Sequence, residues 1–289
     1  MPMPRDIRVI DTHVNIPWDQ HDAERYGSLR ALQRDRESLD AFHMPAQYMF
    51  RGIPDLGSDP ATFVARVVEA MDKHNIGTAL IPVGDAIRYP EIRDRYADRF
   101  VFQSSVNPYN GVEEIRRLKK LHAEYGLRAL SFFPAGSYPQ VAINDKPMYP
   151  IYTLACELGL PIFVNAGVPG PRIPLDTQRV ELIDEICWFF PELTFVMRHG
   201  AEPWEELAVK LMLKYPGLHY STSAFAPKHY PKAIIDFANT RGSDKIIYAG
   251  YFPAGLSLDR IFAELESVPF KDEVWPKFLA GNAARVLKI

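Results

Sequence analysis

The 289-residue chain lacks several features that would each point to a particular class of protein. It has two cysteines, Cys156 and Cys187, without a CxxC pair or a disulfide ladder, which is typical of a protein in a reducing cytoplasm. No run approaches the roughly 20 apolar residues of a membrane span, and the first residues lack the apolar segment of a signal peptide. The formal net charge of -3 argues against a basic face for nucleic acid.

Proline is the residue in excess, with 25 in the chain, where average usage is about 5%. Hydrophobic residues make up 47% of the sequence, which is enough for a sizeable buried core. Together these values indicate rigid turns around a globular core rather than disorder.

Short apolar runs rich in β-branched and aromatic residues alternate with amphipathic stretches along almost the whole chain. The runs lie at 7–11, 78–83, 100–106, 127–133, 160–166, 193–199, 218–224 and 245–251. Most do not alternate cleanly between apolar and polar residues, which is typical of strands buried on both faces of a parallel sheet. Eight strands separated by helices predict one domain over 1–289, an α/β protein with a (β/α)8 (TIM) barrel. A doubly wound open sheet is the alternative, and no GxGxxG follows the first strand to support it.

One connection breaks the rhythm, because about 40 residues (18–60) separate the first strand from the next helix, where 2–6 are usual. Loops that follow barrel strands lie on the catalytic face, so this insertion predicts a lid or a wall of the substrate pocket. An accessory hairpin or a contact between two copies of the chain is the alternative. The insertion is rich in large side chains, namely Trp18, Tyr26, Phe42, His43, Tyr48, Phe50 and Arg51.

Polar side chains lie at the carboxyl ends of several predicted strands, where reacting groups of parallel barrels are found. An imidazole titrates near neutrality, so His13 and His199 are the candidate acid/base residues. Strand alternation predicts that Arg198 points away from His199. The other candidates at or near strand ends are Asp11, Asn15, Asn165, Ser223 and Tyr251.

The sequence resembles the amidohydrolase-related branch of the amidohydrolase superfamily, which includes aminocarboxymuconate-semialdehyde decarboxylase, aromatic acid decarboxylases and pyrone-dicarboxylate lactonase. The resemblance spans essentially the whole chain and implies a TIM barrel. The matching segments are IDTHVN (10–15), FVNAG (163–167), FVMRHGAEPW (195–204), FANTRGSDKIIYAGYFP (237–253) and FLAGNAARVLKI (278–289).

The resemblance also shows which metal ligands are missing. The family holds its metal with two β1 histidines, a β5 histidine and a β8 aspartate. Here only His13 is kept, and the other three positions carry Asn15, Asn165 and Tyr251. Ser131 stands where binuclear relatives use a carbamylated lysine. Amide and phenol oxygens are weak zinc donors, so we expect no bound cofactor.

A weak or atypical divalent-metal site remains an alternative, if Asp11 or His199 turns into a new coordination sphere. Without a metal, the leading hypothesis is metal-independent hydrolysis of a lactone or ester-like bond in a small cyclic or aromatic carboxylate. His199, His13, Asp11 and Tyr251 would be the catalytic residues. Asn15, Asn165, Trp18, Arg51, Arg198 and Ser223 would bind the substrate. Metal-independent decarboxylation or a related C–C lyase reaction is the runner-up, and a non-catalytic ligand-binding protein is the alternative from another class. The expected partners are a small-molecule substrate and a second copy of the chain in a homodimer, with neither nucleic acid nor a membrane.

Overall fold

The computed structural model describes residues 3–18, 27–40 and 46–289. The short apolar runs form eight parallel strands, each paired with its neighbours in chain order around one sheet. The strands are β1 (Val9–Asp11), β2 (Ile76–Pro82), β3 (Phe100–Ser105), β4 (Ala129–Phe132), β5 (Ile162–Asn165), β6 (Phe195–Arg198), β7 (Leu218–Ser221) and β8 (Ile246–Ile247). The predicted TIM barrel is confirmed.

The sheet closes just beyond β1 and β8. Val14 and Phe252 form a parallel bridge, and the Asn15 N–H donates to the Phe252 carbonyl at 2.9 Å. The eighth strand is much shorter than the run predicted at 245–251. The backbone N–H groups that follow β8 do not pair with a neighbouring strand. The N–H of Tyr248 donates to the Phe278 carbonyl, and the N–H of Gly250 donates to the Asp11 carboxylate. The segment that ends this run is therefore a loop at the barrel mouth.

Helices separate the strands, as the amphipathic stretches predict. They are α1 (Gly27–Leu32), α2 (Arg36–Asp40), α3 (Phe63–Lys73), α4 (Val83–Arg88), α5 (Glu91–Asp94), α6 (Gly111–Tyr125), α7 (Tyr149–Leu158), α8 (Leu182–Phe189), α9 (Glu205–Lys214), α10 (Lys232–Ala238), α11 (Leu258–Leu265) and α12 (Asn282–Leu287). Cys156 lies in α7 and Cys187 in α8, and both are free thiols. Among the described helices, none is long and apolar enough to cross a membrane.

The interior of the barrel is built in layers. An apolar layer at the bottom joins inward side chains of the strands to α12, whose Ala283, Val286 and Leu287 close the barrel from below. The strand side chains in this layer are Leu80, Ala129, Phe163, Val196 and Ile247. Side chains two positions further along a strand share its face, so the next layer up is polar. It contains Thr12, Gln103, Ser131, Asn165 and Arg198.

Candidate active site

A cavity of about 1280 Å³ opens at the carboxyl ends of the strands. Of the ten side chains that the sequence singles out, eight line it: His13, Asn15, Trp18, Arg51, Asn165, Arg198, His199 and Tyr251. The other two, Asp11 and Ser223, are fully buried behind the lining and contact it through hydrogen bonds. The barrel thus brings residues from 13 to 251 into one pocket.

Three aromatic rings form the centre of this cavity. The ring centroids of His13 and His199 are 5.3 Å apart, and the Tyr251 ring lies 4.9 Å from His13 and 5.2 Å from His199. Phe50, from the insertion, packs against Tyr251 at 5.7 Å. Two imidazoles and a phenol are therefore within reach of one small substrate.

Backbone geometry brings His199 into this cluster. It follows the last residue of β6 with a left-handed φ of 63°, which breaks the alternation of the strand. Gly200 continues the turn with a φ of 95°, and the Phe225 ring occupies the space where a Cβ would stand. Behind the ring, the Ser223 hydroxyl lies 3.1 Å from Nδ1 and orients the imidazole. Tyr251 also has a left-handed φ, of 56°.

Both histidines are neutral at physiological pH, contrary to the expectation that they titrate near neutrality. Burial lowers the pKa of His199 to about 3, helped by the positive charge of Arg198 and opposed by a hydrogen bond with the Ser223 backbone. Burial also lowers the pKa of His13 far below its usual value, and Arg198 and His199 add to the effect. Both imidazoles are therefore free to accept a proton, but their lowered pKa values make them weaker bases than an exposed histidine.

Asp11 supports the site from behind. Its Oδ1 accepts hydrogen bonds from the backbone N–H groups of His13 at 2.9 Å and Gly250 at 3.0 Å, which ties β1 to the loop after β8. Burial raises the pKa of Asp11 to about 7, although these hydrogen bonds and the charge of Arg198 lower it. Within the described residues, its Oδ2 is buried without a hydrogen-bond partner.

Arg198 points into the barrel and lines the same cavity as His199, so the prediction that the two side chains point away from each other is wrong. If β6 continued as a regular strand, the side chains of Arg198 and His199 would point to opposite faces. Arg198 takes the inner face, because it lies two residues after Val196, whose side chain faces the barrel interior. Its Nη2 donates to the Thr12 carbonyl at 3.1 Å and to Gln103 Oε1 at 2.9 Å. The left-handed turn then returns His199 to the same cavity.

Two residues that support the site, Asp85 and Gln103, were not predicted from the sequence. Asp85, buried just after β2, accepts hydrogen bonds from the Trp18 indole at 2.8 Å and the Ile16 N–H at 3.2 Å. It thereby holds the start of the insertion against the barrel. Gln103 is the partner of Arg198 inside β3. A polar residue within an otherwise apolar strand is the signal that could have identified Gln103.

The described part of the insertion lies against the cavity. Leu29, Ala46, Tyr48, Met49 and Phe50 line it, together with Trp18 and Arg51. Tyr26, Phe42 and His43 lie outside the described residues. The Tyr48 hydroxyl donates to the Gly170 carbonyl at 2.7 Å, which joins the insertion to the loop after β5.

The donor set at the family's metal position does not fit a divalent ion. The four positions, His13, Asn15, Asn165 and Tyr251, all line the cavity but supply one imidazole, two amides and a phenol. Within residues 3–18, 27–40 and 46–289, no three His, Cys, Asp or Glu side chains are grouped to hold a metal ion. The buried positive charge of Arg198 in the same cavity further disfavours a second cation.

Comparison with solved structures supports the fold. An uncharacterised TIM-barrel protein of Bordetella bronchiseptica superposes with a TM-score of 0.73 at 19% identity, covering 97% of this chain and 98% of the other. A dihydroxybenzoic acid decarboxylase of Polaromonas, solved with bound manganese, gives 0.65 at 14% identity and covers 97% and 96%. The 4-oxalomesaconate hydratase of Rhodopseudomonas palustris gives 0.65 at 17% and covers 97% and 95%.

The family assignment comes from the sequence itself. No curated protein matches the chain. A family model described as Amidohydrolase matches residues 10–289, from the first strand to the last residue. Since this match spans nearly the whole barrel, including every strand that contributes to the cavity, the chain belongs to the amidohydrolase family.

Proposed function

We propose that the protein hydrolyses a lactone or ester-like bond of a small cyclic or aromatic carboxylate, without a metal ion. The observation that carries this proposal is the cluster of His13, His199 and Tyr251, whose ring centroids lie within 5.3 Å of each other. Both imidazoles are in the neutral form that can accept a proton. Three of the four metal-ligand positions that the resemblance implies carry Asn15, Asn165 and Tyr251 at the same place.

In the proposed hydrolysis these residues act as general base, general acid and hydrogen-bond donors. His199 takes a proton from water while the water oxygen adds to the carbonyl carbon of the substrate. The bond from that carbon to the ring or alkoxy oxygen then breaks, and the leaving oxygen takes a proton from Tyr251 or the His199 imidazolium. Asn15 and Asn165 line the cavity beside these groups and supply amide donors for the carbonyl oxygen. His13 lies across from His199 as a second proton acceptor or donor.

Decarboxylation is the second candidate, and the comparisons favour it specifically, since a dihydroxybenzoic acid decarboxylase shares the fold over the whole chain. In this reaction the C–C bond to the carboxylate breaks, CO₂ leaves, and the ring carbon takes a proton. A non-catalytic role as a ligand-binding protein is the third. The small-molecule partner, the cytoplasmic location and the homodimer stay predictions from sequence.

Isotope labelling separates these functions. The full chain is incubated in ¹⁸O-water with lactones and aryl esters that carry a carboxylate, and with carboxylated phenols. Hydrolysis inserts one ¹⁸O atom into the acid product, whereas decarboxylation releases CO₂ and leaves the product unlabelled. Turnover with ¹⁸O incorporation, abolished in His199→Asn and unchanged by a chelator, is the expected result. CO₂ release alone supports the decarboxylase, and saturable binding without any turnover supports the ligand-binding protein.

A further inference from the structure

The guanidinium of Arg198 lies at the floor of the cavity in an unusual environment. Its side chain is 3% exposed, and it rests on the Phe163 ring with 4.4 Å between the guanidinium carbon and the ring centroid. Phe163 belongs to the apolar layer that closes the barrel below. The cation is therefore supported from beneath by an aromatic face, and its free edge faces the cavity.

This buried cation has no ion-pair contact in the described part of the chain, and the Asp11 carboxyl acts on it only at longer range. No carboxylate there lies within ion-pair distance of it, and both of its hydrogen bonds come from Nη2, to a carbonyl and to the neutral Gln103. Nε is buried without a partner. The charge nevertheless persists, because burial lowers the pKa of Arg198 only to about 9. An unpaired buried charge is costly to the fold, which argues for a role in binding.

The neighbouring side chains complete a site for a planar anion. Asn165 of β5 is the register partner of Arg198 in β6, so the two side chains stand next to each other on the inner face of the sheet. Both line the cavity. An amide N–H₂ beside a guanidinium offers several donors on one side, the arrangement that a carboxylate accepts best.

We propose that Arg198, assisted by Asn165, is the anchor for a carboxylate group of the ligand, placing the rest of the molecule beneath the His13, His199 and Tyr251 rings. This assignment rests on the proposed function for the identity of the site and adds the residue that selects the substrate charge.

Calorimetric titration of the full chain with benzoate and with benzamide, its uncharged counterpart, tests the anchor without requiring turnover. Wild type should bind benzoate at least about tenfold more tightly than benzamide. Arg198→Gln should weaken benzoate binding by about 10- to 100-fold, the effect expected for a charge-assisted hydrogen bond, and leave benzamide unchanged. The matched control is Arg260→Gln, because Arg260 lines the same cavity but is paired with Glu264 at 2.9 Å.

Thermal melts distinguish a ligand-binding role of Arg198 from a structural role. If Arg198 anchors a ligand, Arg198→Met should melt close to the wild-type temperature without ligand, because removing an unpaired buried charge offsets the loss of the two hydrogen bonds to the Thr12 carbonyl and Gln103. A lower melting temperature with unchanged benzoate affinity in Arg198→Gln would overturn the proposal. Equal affinity of wild type for benzoate and benzamide would do the same, and that comparison needs no variant.

The two proposals fail separately. Arg198-dependent benzoate binding without hydrolysis of any ester would keep the carboxylate anchor and remove the proposed hydrolase. Hydrolysis of esters that lack a carboxylate, as fast as that of their carboxylated counterparts, would keep the hydrolase and remove the anchor.

Discussion

His199 is the residue on which the proposed hydrolysis depends most directly. The left-handed φ of 63° that carries it into the cavity is tolerated better by asparagine than by most residues. His199→Asn should therefore fold and lower turnover by about 10²- to 10⁴-fold, because the general base is lost. Turnover of the variant beside its thermal melt is the measurement. Ser223→Ala, which removes only the hydroxyl behind Nδ1, should cause a smaller loss.

Near-normal turnover in a well-folded His199→Asn protein would transfer the role of base to His13. A large fall in melting temperature with normal activity per folded molecule would make His199 a structural residue of the β6 turn.

Asp11 should make stability depend on pH near neutrality. Its pKa is about 7 in the folded protein and 3.8 as an ordinary carboxyl, so the folded state favours the protonated form. The contribution of Asp11 to the free energy of unfolding is fully present below about pH 4 and is lost as pH rises to about 7. The loss over this range is about 4 kcal/mol. The charged and titratable groups that face Asp11 are His13, Arg198, Tyr230 and Tyr248.

Asp11→Asn keeps an oxygen for the two backbone N–H donors and removes the titration. The free energy of unfolding, measured by urea between pH 4 and 8 for both proteins, should show a slope in wild type that Asp11→Asn lacks. Comparing the two curves cancels the other titrating groups. Parallel curves would show that Asp11 ionises normally.

At the level of elements, the insertion is fastened over the cavity by Arg172. This side chain, on the loop after β5, contacts Asp35 at 2.7 Å and Glu37 at 2.9 Å and lies over the Tyr48 ring at 4.5 Å. Hydrogen bonds from Ser38, together with Arg172, hold the pKa of Asp35 at about 2. A lowered carboxyl pKa means that this contact persists above about pH 4 and weakens only as pH falls towards 2, so salt rather than pH should modulate it.

Arg172→Ala should loosen the insertion while leaving the barrel intact. Amide exchange in α2 should rise roughly two- to fivefold, as expected for exposed ion pairs, and 1 M salt should have a similar effect on wild type. The matched control is Arg36→Ala, whose partner Asp40 lies in the same helix. Identical exchange in α2 for Arg172→Ala and wild type would show that other contacts hold the insertion.

Over the whole molecule, the barrel interior consists of three layers with different roles. The apolar layer and α12 close the bottom, the polar layer with Arg198 and Asn165 forms the floor of the cavity, and the His13, His199 and Tyr251 rings lie above it. A buried arginine thus occupies a cavity in which the family sequence pattern places a metal ion.

Purified protein should therefore carry well under one equivalent of zinc or manganese, and a chelator should leave its activity unchanged. Elemental analysis of protein prepared without chelator, followed by turnover assays with and without chelator, is the measurement. A double variant, Asn15→His with Asn165→His, restores two imidazoles at the family positions and is the matched comparison for metal content. Stoichiometric zinc with chelator-sensitive turnover in wild type would contradict the expectation.

The barrel and most of the selected side chains that line the cavity could be predicted from the amino-acid sequence. Eight apolar runs with helices between them specify parallel strands, because a strand buried on both faces needs apolar residues throughout. The carboxyl ends of such strands meet at one face, so eight of the ten selected side chains reach one cavity from local pattern alone. The loss of three metal ligands was likewise readable from Asn15, Asn165 and Tyr251.

The orientation and the charge state of the site's side chains could be read only from the three-dimensional fold. Alternation separates neighbours on a strand but does not say which of them faces inward. The left-handed turn at His199 brings it into the cavity that the inward-facing Arg198 lines. The pKa values of His13, His199 and Asp11 depend on burial and on a guanidinium from another strand. Asp85 reaches Trp18 across 67 positions of the chain. Contacts between residues far apart in the chain determine the burial and the electric field that a side chain experiences at a site. Residue types and spacings within one segment do not specify these contacts.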